Sequence, residues 1–257
     1  MSTAVPARGR TDERPPPGEG REALRAVAGA LLLALALRVI GYQPFTIPSA
    51  SMGPTLVTGD YILVSKFPYG WSRASLPFNP PVGEGRLFGR DPRRGDIVVF
   101  RDFDEPAKTV IKRVIGLPGD RVQVRGGAVS INDRFLRRRP VGAASDRDAG
   151  GLAVLEVEER TGGGRDYRTY DRGPRHEGDD TGIVVVPAGH YFVLGDNRDN
   201  SLDSRFSHEV GGVGLVPAET LVGRAEVVLF SWRPGASLYK PWTWLALTPG
   251  RFLRPLG

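Results

Sequence analysis

Asp96-Ile97-Val98-Val99-Phe100 is a short run of β-branched and aromatic side chains following Gly95, and its type recurs along the chain. Tyr61-Ile62-Leu63-Val64, Arg121-Val122-Gln123-Val124, Ile183-Val184-Val185-Val186, Tyr191-Phe192-Val193-Leu194 and Ala225-Glu226-Val227-Val228-Leu229-Phe230 read the same way, each bounded by Gly, Pro or Asp. Runs of this length and composition are strands. No long amphipathic helical pattern follows residue 42, and 34 Gly with 22 Pro supply many turns. The expected fold is therefore mainly β, an antiparallel sheet core. Residues 72–93, with Pro77, Pro80 and Pro81, read as loop. Residues 137–182 are polar, rich in Arg, Gly and Asp, and read as an insertion or small accessory lobe. The expected division is a β core of residues 43–124 and 183–248, an inserted accessory β lobe of 125–182, and a C-terminal tail of 249–257.

Upstream of the strands lies one apolar segment. Ala26 to Leu37 is uninterrupted, and with its flanks residues 23–42 make about 30 Å of helix. Arg25 and Arg38 stand near its ends, where long side chains snorkel to headgroups. An uncleaved transmembrane helix is favoured over a signal peptide or a soluble helix. Residues 1–22, rich in Pro, Gly, Arg and Glu, read as a disordered tail. Arg8, Arg10, Arg14, Arg21 and Arg25 precede or open the span, whereas residues 43–65 hold no Lys or Arg. That asymmetry puts the N-terminus in the cytoplasm and the β part outside. Trp242 and Trp244 suit either a membrane interface or core packing.

The 257 residues contain no cysteine, which excludes disulfides, thiolate catalysis and Cys-based metal sites. The net charge is +6, carried by 31 Arg but only four Lys: Lys66, Lys108, Lys112 and Lys240. Basicity alone is compatible with anionic lipid, nucleic acid or an ordinary solvated surface.

Three polar islands carry the candidate chemistry. Phe45-Thr46-Ile47-Pro48-Ser49-Ala50-Ser51-Met52-Gly53-Pro54-Thr55-Leu56 follows the span and holds two serines between prolines, either a constrained nucleophile or an ordinary turn. Ile111-Lys112-Arg113-Val114-Ile115-Gly116-Leu117-Pro118-Gly119-Asp120 places a lysine at the end of Thr109-Val110-Ile111. Gly195-Asp196-Asn197-Arg198-Asp199-Asn200-Ser201-Leu202-Asp203-Ser204-Arg205 is a loop bonding its own backbone, or a metal loop through Asp196, Asp199 and Asp203; Arg198 inside it argues against metal.

With Gly59-Asp60-Tyr61-Ile62-Leu63-Val64 and Arg94-Gly95-Asp96-Ile97-Val98-Val99-Phe100, these islands form an ordered set. The sequence resembles the bacterial type I signal peptidases, membrane-bound serine peptidases that remove signal peptides from exported proteins. The resemblance implies Ser51 as nucleophile and Lys112 as general base. It implies oxyanion binding by Ser49 and the Ser51 N–H, a Lys-orienting role for Ser201, and a supporting Asp203–Arg205 ion pair. It also implies that Phe45, Ile47, Pro48, Met52, Leu56, Ile62, Val99 and Ile111 line pockets for small residues at substrate positions −1 and −3. That suits Ala-x-Ala cleavage signals. No histidine is needed, and His176, His190 and His208 stand in no triad-like context. The implied partners are signal-peptide-bearing preproteins and membrane lipid, with no nucleic acid, no metal and no cofactor. Val110 stands where the family often has an aromatic, and Ala50 where it often has Gly.

A lysine base must lose its proton near neutral pH, although free lysine has a pKa near ~10.4. Desolvation can lower this by up to ~3–5 units; Ile111, Val110 and Met52 are the expected apolar shell. Arginine stays charged and cannot do this, so a rare Lys in an Arg-rich chain is pointed. Two alternatives fit less. A self-cleaving repressor-type Ser–Lys peptidase needs a DNA-binding region in place of the anchor. A non-enzymatic basic β-domain leaves the motifs unexplained.

Overall fold

The computed structural model describes residues 19–76, 80, 83, 85–161, 166–233, 235, 236 and 239–256. The expected tail, residues 1–22, lies outside the described residues as far as 18, as do several positions of the 72–93 loop. The chain divides into two units, one ending at Arg38 and one running from Val39.

In the first unit α1 (Glu19–Ala36) is built from Ala and Leu, both strong helix formers. Leu24, Leu31, Leu32, Leu33 and Leu35 are all exposed. Gly20–Gly41 is long and apolar enough to cross a membrane, as a single-pass membrane protein requires. A π-helical turn, Leu37–Gly41, follows. Tyr42, expected as the last residue of the span, instead opens the first strand.

The second unit contains β1 (Tyr42–Thr46), β2 (Asp60–Ser65), β3 (Ile97–Arg101), β4 (Thr109–Gly116), β5 (Arg121–Arg125), β6 (Ala128–Ile131), β7 (Arg134–Phe135), β8 (Arg137–Asp146), β9 (Leu152–Arg160), β10 (Asp166–Asp171), β11 (Val184–Val185), β12 (His190–Leu194), β13 (Val216–Pro217), β14 (Leu221–Ser231) and β15 (Arg254–Pro255). The main sheet has the order β1-β2-β14-β3-β4-β12-β13, with β15 also on β14. A three-stranded sheet runs β10-β9-β8 and a four-stranded one β11-β5-β6-β7. All these pairings are antiparallel.

The inserted accessory β lobe expected from the sequence is present, and the C-terminal stretch is structured as well. Residues 137–182 hold the whole β8–β10 sheet. In β9 the inward residues are Val154, Val157 and Glu159, while the outward positions mix Leu152 and Leu155 with Glu156, Glu158 and Arg160. Ion pairs Arg139–Glu158, Arg160–Asp166 and Arg168–Glu156 tie the strands together. Residues 249–257 were expected as a tail. Yet β15 joins the main sheet, and buried Arg251 bonds both carboxylate oxygens of fully buried Asp60 and the Thr55 carbonyl. A C-terminal arginine thus closes the base of the loop that carries Ser51.

The sheet core is three buried clusters. One gathers Ile47, Met52, Leu56, Ile62, Val64, Ile97, Val99 and Ile111. A second gathers Tyr69, Val98, Phe100, Val114, Tyr191 and Val193, with Val110 against it. A third, of Ile115, Val122, Val124, Tyr167 and Phe192, joins the four-stranded sheet to the main one. Each fully buried aliphatic side chain contributes roughly 1.5–3 kcal/mol.

Candidate active site

The site forms where the loop between β1 and β2, the strand β4 and the loop after β12 converge. Ile47 N donates to Asp60 O and Gly59 N to Ile47 O, so the first loop leaves and re-enters a continuing β pairing. Inside it Gly53 N donates to Ala50 O and Leu56 N to Met52 O, folding residues 50–56 into a tight turn with Ser51 half-buried at its start.

On β4, side chains alternate between faces. Val98 of β3 pairs with Lys112 and Phe100 with Val110, so Lys112 shares its face with Val98, Phe100, Val110 and Val114. This is the face of the second apolar cluster. The expected shell is corrected here: Val110 belongs to it, but Ile111 lies on the opposite face, where Met52 is also clustered. Lys112 is only 4% exposed. Its Nζ donates to Ser51 Oγ at 2.7 Å. Burial pushes its pKa down to about 8; Asp203 and Asp196 pull it up, Arg205 and Lys108 down, and desolvation dominates.

Ser49 is exposed, with its Oγ 3.4 Å from Ser51 Oγ. The Ser51 N–H donates to none of the described residues. Asp203 and Arg205 form a sealed ion pair at 2.8 Å; Asp203 also accepts from Gly195 N. The Ser201 hydroxyl is buried and has no hydrogen-bond partner among the described residues, so it makes no bond to Lys112 here. Gly195 is required by its surroundings: a Cβ there would lie 2.3 Å from Ser201 Oγ and 2.4 Å from Ser51 O.

Of the residues expected to line pockets, Ile47, Met52, Leu56, Ile62, Val99 and Ile111 pack in one cluster with Phe45 against it. Met52, Leu56 and Ile62 have no exposed surface, whereas Pro48 is exposed. In this state the set is a packed floor with Phe45 and Pro48 at its rim. A separate cleft of about 920 Å³ is lined by Pro54, Thr55, Arg113, Tyr167, Arg224 and Arg254, and by neither Ser51 nor Lys112. The histidines stand apart: His190 contacts Ala188 O and His208 contacts Asp104.

The sequence reading missed a buried charged layer beside the site. Asp196, weighed as a metal ligand, pairs with Arg113 instead. Arg113 grips Asp196 through both nitrogens, at 2.7 and 2.6 Å, and lies 4.2 Å from the Tyr167 ring centroid. Arg198 grips Glu159 of β9 through both nitrogens, and Tyr167 OH donates to Glu159. Asn197 Nδ2 donates to Ala50 O and to Asp146 of β8. Half of each pair is visible in the third island, but the partners lie 39–83 residues away, Glu159 and Asp146 in the inserted lobe and Arg113 on β4.

Residues 20–232 match the family "Signal peptidase, peptidase S26". A signal peptidase I of Rickettsia typhi is 40% identical over 209 residues, 78% of this chain and 76% of its own length. One of Rickettsia akari is 39% identical over 212 residues, 79% and 77% of the two chains. A crystal structure of a signal peptidase I from Enterococcus faecalis is 28% identical, covering 52% of this chain and 97% of its own, with a TM-score of 0.31. The extent of the family match and the two rickettsial relatives decide the matter: this chain belongs to the signal peptidase I family, membrane-associated serine endopeptidases that cleave signal peptides.

Proposed function

We propose that Ser51 and Lys112 are the nucleophile and general base of this peptidase. The observation that carries the reading is the 2.7 Å contact between Ser51 Oγ and a buried lysine whose pKa has fallen to about 8. Once neutral, Lys112 presents its lone pair to the Ser51 proton. Oγ then attacks the scissile carbonyl as Lys112 takes that proton. The negative charge moves to the carbonyl oxygen, within reach of the Ser51 N–H and the Ser49 hydroxyl, each such donor contributing roughly 3 kcal/mol. Collapse breaks the C–N bond, and the leaving amine takes the proton from Lys112. Water, with Lys112 again as base, hydrolyses the acyl-enzyme. Asp203 and Arg205 form a neutral pair beside the lysine. The unpartnered Ser201 hydroxyl is available to steady the amine as it changes charge.

Substrate side chains at −1 and −3 sit over the floor formed by Ile47, Met52, Leu56, Ile62, Val99 and Ile111, between Phe45 and Pro48; a floor so closely packed admits only small residues. The N-terminus is cytoplasmic and the β unit extracytoplasmic, by the arginine asymmetry around the span. Residues 125–182 act as an accessory lobe to the core.

The test is cleavage of a signal-peptide-bearing preprotein by the full-length enzyme in detergent. Ser51→Ala is expected to be inactive while unfolding at the wild-type temperature. Turnover by this variant would remove Ser51 from the mechanism.

A further inference from the structure

We infer that the β8–β10 sheet serves catalysis, through Asp146, as a positioning element for the turn that carries Ser51. The inference rests on the reading of Ser51 as nucleophile.

The connection is a short chain of buried bonds. Asn197 is wholly buried and holds the turn twice: its backbone N donates to Ser51 O at 3.1 Å, and its Nδ2 donates to Ala50 O at 3.1 Å. The second Nδ2 proton goes to Asp146 Oδ2 at 2.7 Å. Asn197 Oδ1 is buried without a partner among the described residues. The orientation of the amide therefore depends on the two Nδ2 bonds. Without Asp146 one of them goes, and a rotated amide would aim its oxygen at the Ala50 carbonyl. Asp146 is itself fixed: it is 2% exposed, its Oδ1 accepts from Asp148 N at 3.1 Å, and Arg172 Nη2 lies 3.9 Å from Oδ2. The same lobe touches the other end of the loop, where Asp148 Oδ2 accepts from Thr58 N at 2.8 Å. Tyr170 of β10 completes the seam, its N donating to Asp196 O and its ring lying 3.3 Å from where a Cβ on Gly53 would be. The lobe thus meets the loop directly after Ser51, at Gly53 and Thr58, and holds Ala50 and Ser51 through Asn197, to which Asp146 is the link.

Asp146 touches neither substrate nor the reacting atoms, so it is a positioning residue. Its loss should loosen Ser51 without altering Lys112. Misplacing a nucleophile by about 1 Å costs roughly 10²-fold. For full-length Asp146→Ala with a preprotein substrate, the expected result is a kcat about 10- to 100-fold lower. KM should stay within about twofold of wild type, and the pH midpoint of activity near 8 should be unchanged. Asn197→Ala should give a similar loss, and the double variant little more than either alone. Arg139→Ala, which breaks an exposed ion pair of the same sheet, should keep wild-type kcat. A wild-type kcat for Asp146→Ala, a loss confined to KM, full additivity with Asn197→Ala, or an equal loss in Arg139→Ala would each overturn the inference. Should Asp146→Ala not fold, Asp146→Asn, which keeps one oxygen acceptor, decides alone: kcat at least about threefold down at unchanged KM supports the role, and wild-type kcat refutes it. Ser51→Ala separates the two levels. If it is inactive and Asp146→Ala is normal, only this inference fails; if it turns over, the underlying reading fails first.

Discussion

Lys112 and Arg113 are neighbours on β4, both basic and both nearly sealed from solvent, at 4% and 5% exposure. The strand sends them to opposite faces, and the faces treat charge in opposite ways. Lys112 enters an aliphatic and aromatic cluster with a serine hydroxyl at its tip and, among the described residues, no carboxylate in salt-bridge contact, so desolvation wins and its pKa falls. Arg113 meets Asp196 in a two-bond grip beneath the Tyr167 ring, and the carboxylate holds its pKa up despite full burial. One face is thus arranged to lose a proton, the other to keep charge in a fixed geometry. The lesson is that burial alone does not set the fate of a cation; what waits at its tip decides.

The contrast can be broken in four ways of decreasing size. Lys112→Arg places on the first face a group that cannot deprotonate, and turnover of a preprotein should fall by at least about 10⁴-fold. Wild-type-like cleavage would end the lysine-base reading. On the other face, Asp196→Ala leaves Arg113 buried and uncompensated, and should cost about 3–5 kcal/mol in denaturant unfolding. A loss under about 1 kcal/mol would mean that water reaches Arg113.

Lys112→Met should destroy activity yet stabilise the fold. The folded-state pKa of about 8 lies below the ordinary value, so at pH 7 the buried ammonium destabilises by about 3 kcal/mol. The sign is that of a depressed lysine. Below pH 8 both states are protonated and the cost is full. Between about 8 and 10.4 only the unfolded chain binds the proton, so wild-type stability climbs with pH and the advantage of Met shrinks. Equal unfolding of wild type and Lys112→Met at pH 7 would show that the amine is hydrated. The smallest effect is the pH profile: kcat/KM should fall about tenfold per unit below pH 8 and level above it, as the neutral fraction of Lys112 dictates. A profile flat from pH 6 to 9 would contradict a base titrating there.

The sequence was legible where neighbours in the chain act together. Strand runs such as Ile97–Phe100 and Tyr191–Leu194 carry their own periodicity and turns, and the ordered motifs around Ser51 and Lys112 carry the family resemblance that implies their roles. In β8–β10 the accessory β lobe was legible but its buried contacts were not, because the inward positions include Glu159 and Asp146, whose partners are remote in the chain. Arg251 failed for a related reason: its partner Asp60 is 191 residues away. The Ser201 contact, implied by resemblance, is absent in this state because the hydroxyl is enclosed beside Gly195 without a partner.

By itself, the order of residues gave the apolar helix and the β class, because hydropathy and turn chemistry are properties of short segments, and its ordered motifs carried the family resemblance that implies Ser51 and Lys112. Only the tertiary structure decided which face of β4 Lys112 occupies, that Val110 and not Ile111 shares it, that Arg113 and Asp196 neutralise one another, and that the lobe reaches the Ser51 turn through Asp146 and Asn197. Each of these is a pairing across tens of residues. A buried charge or polar group takes its energy from the partner it meets, and that partner is chosen by the fold.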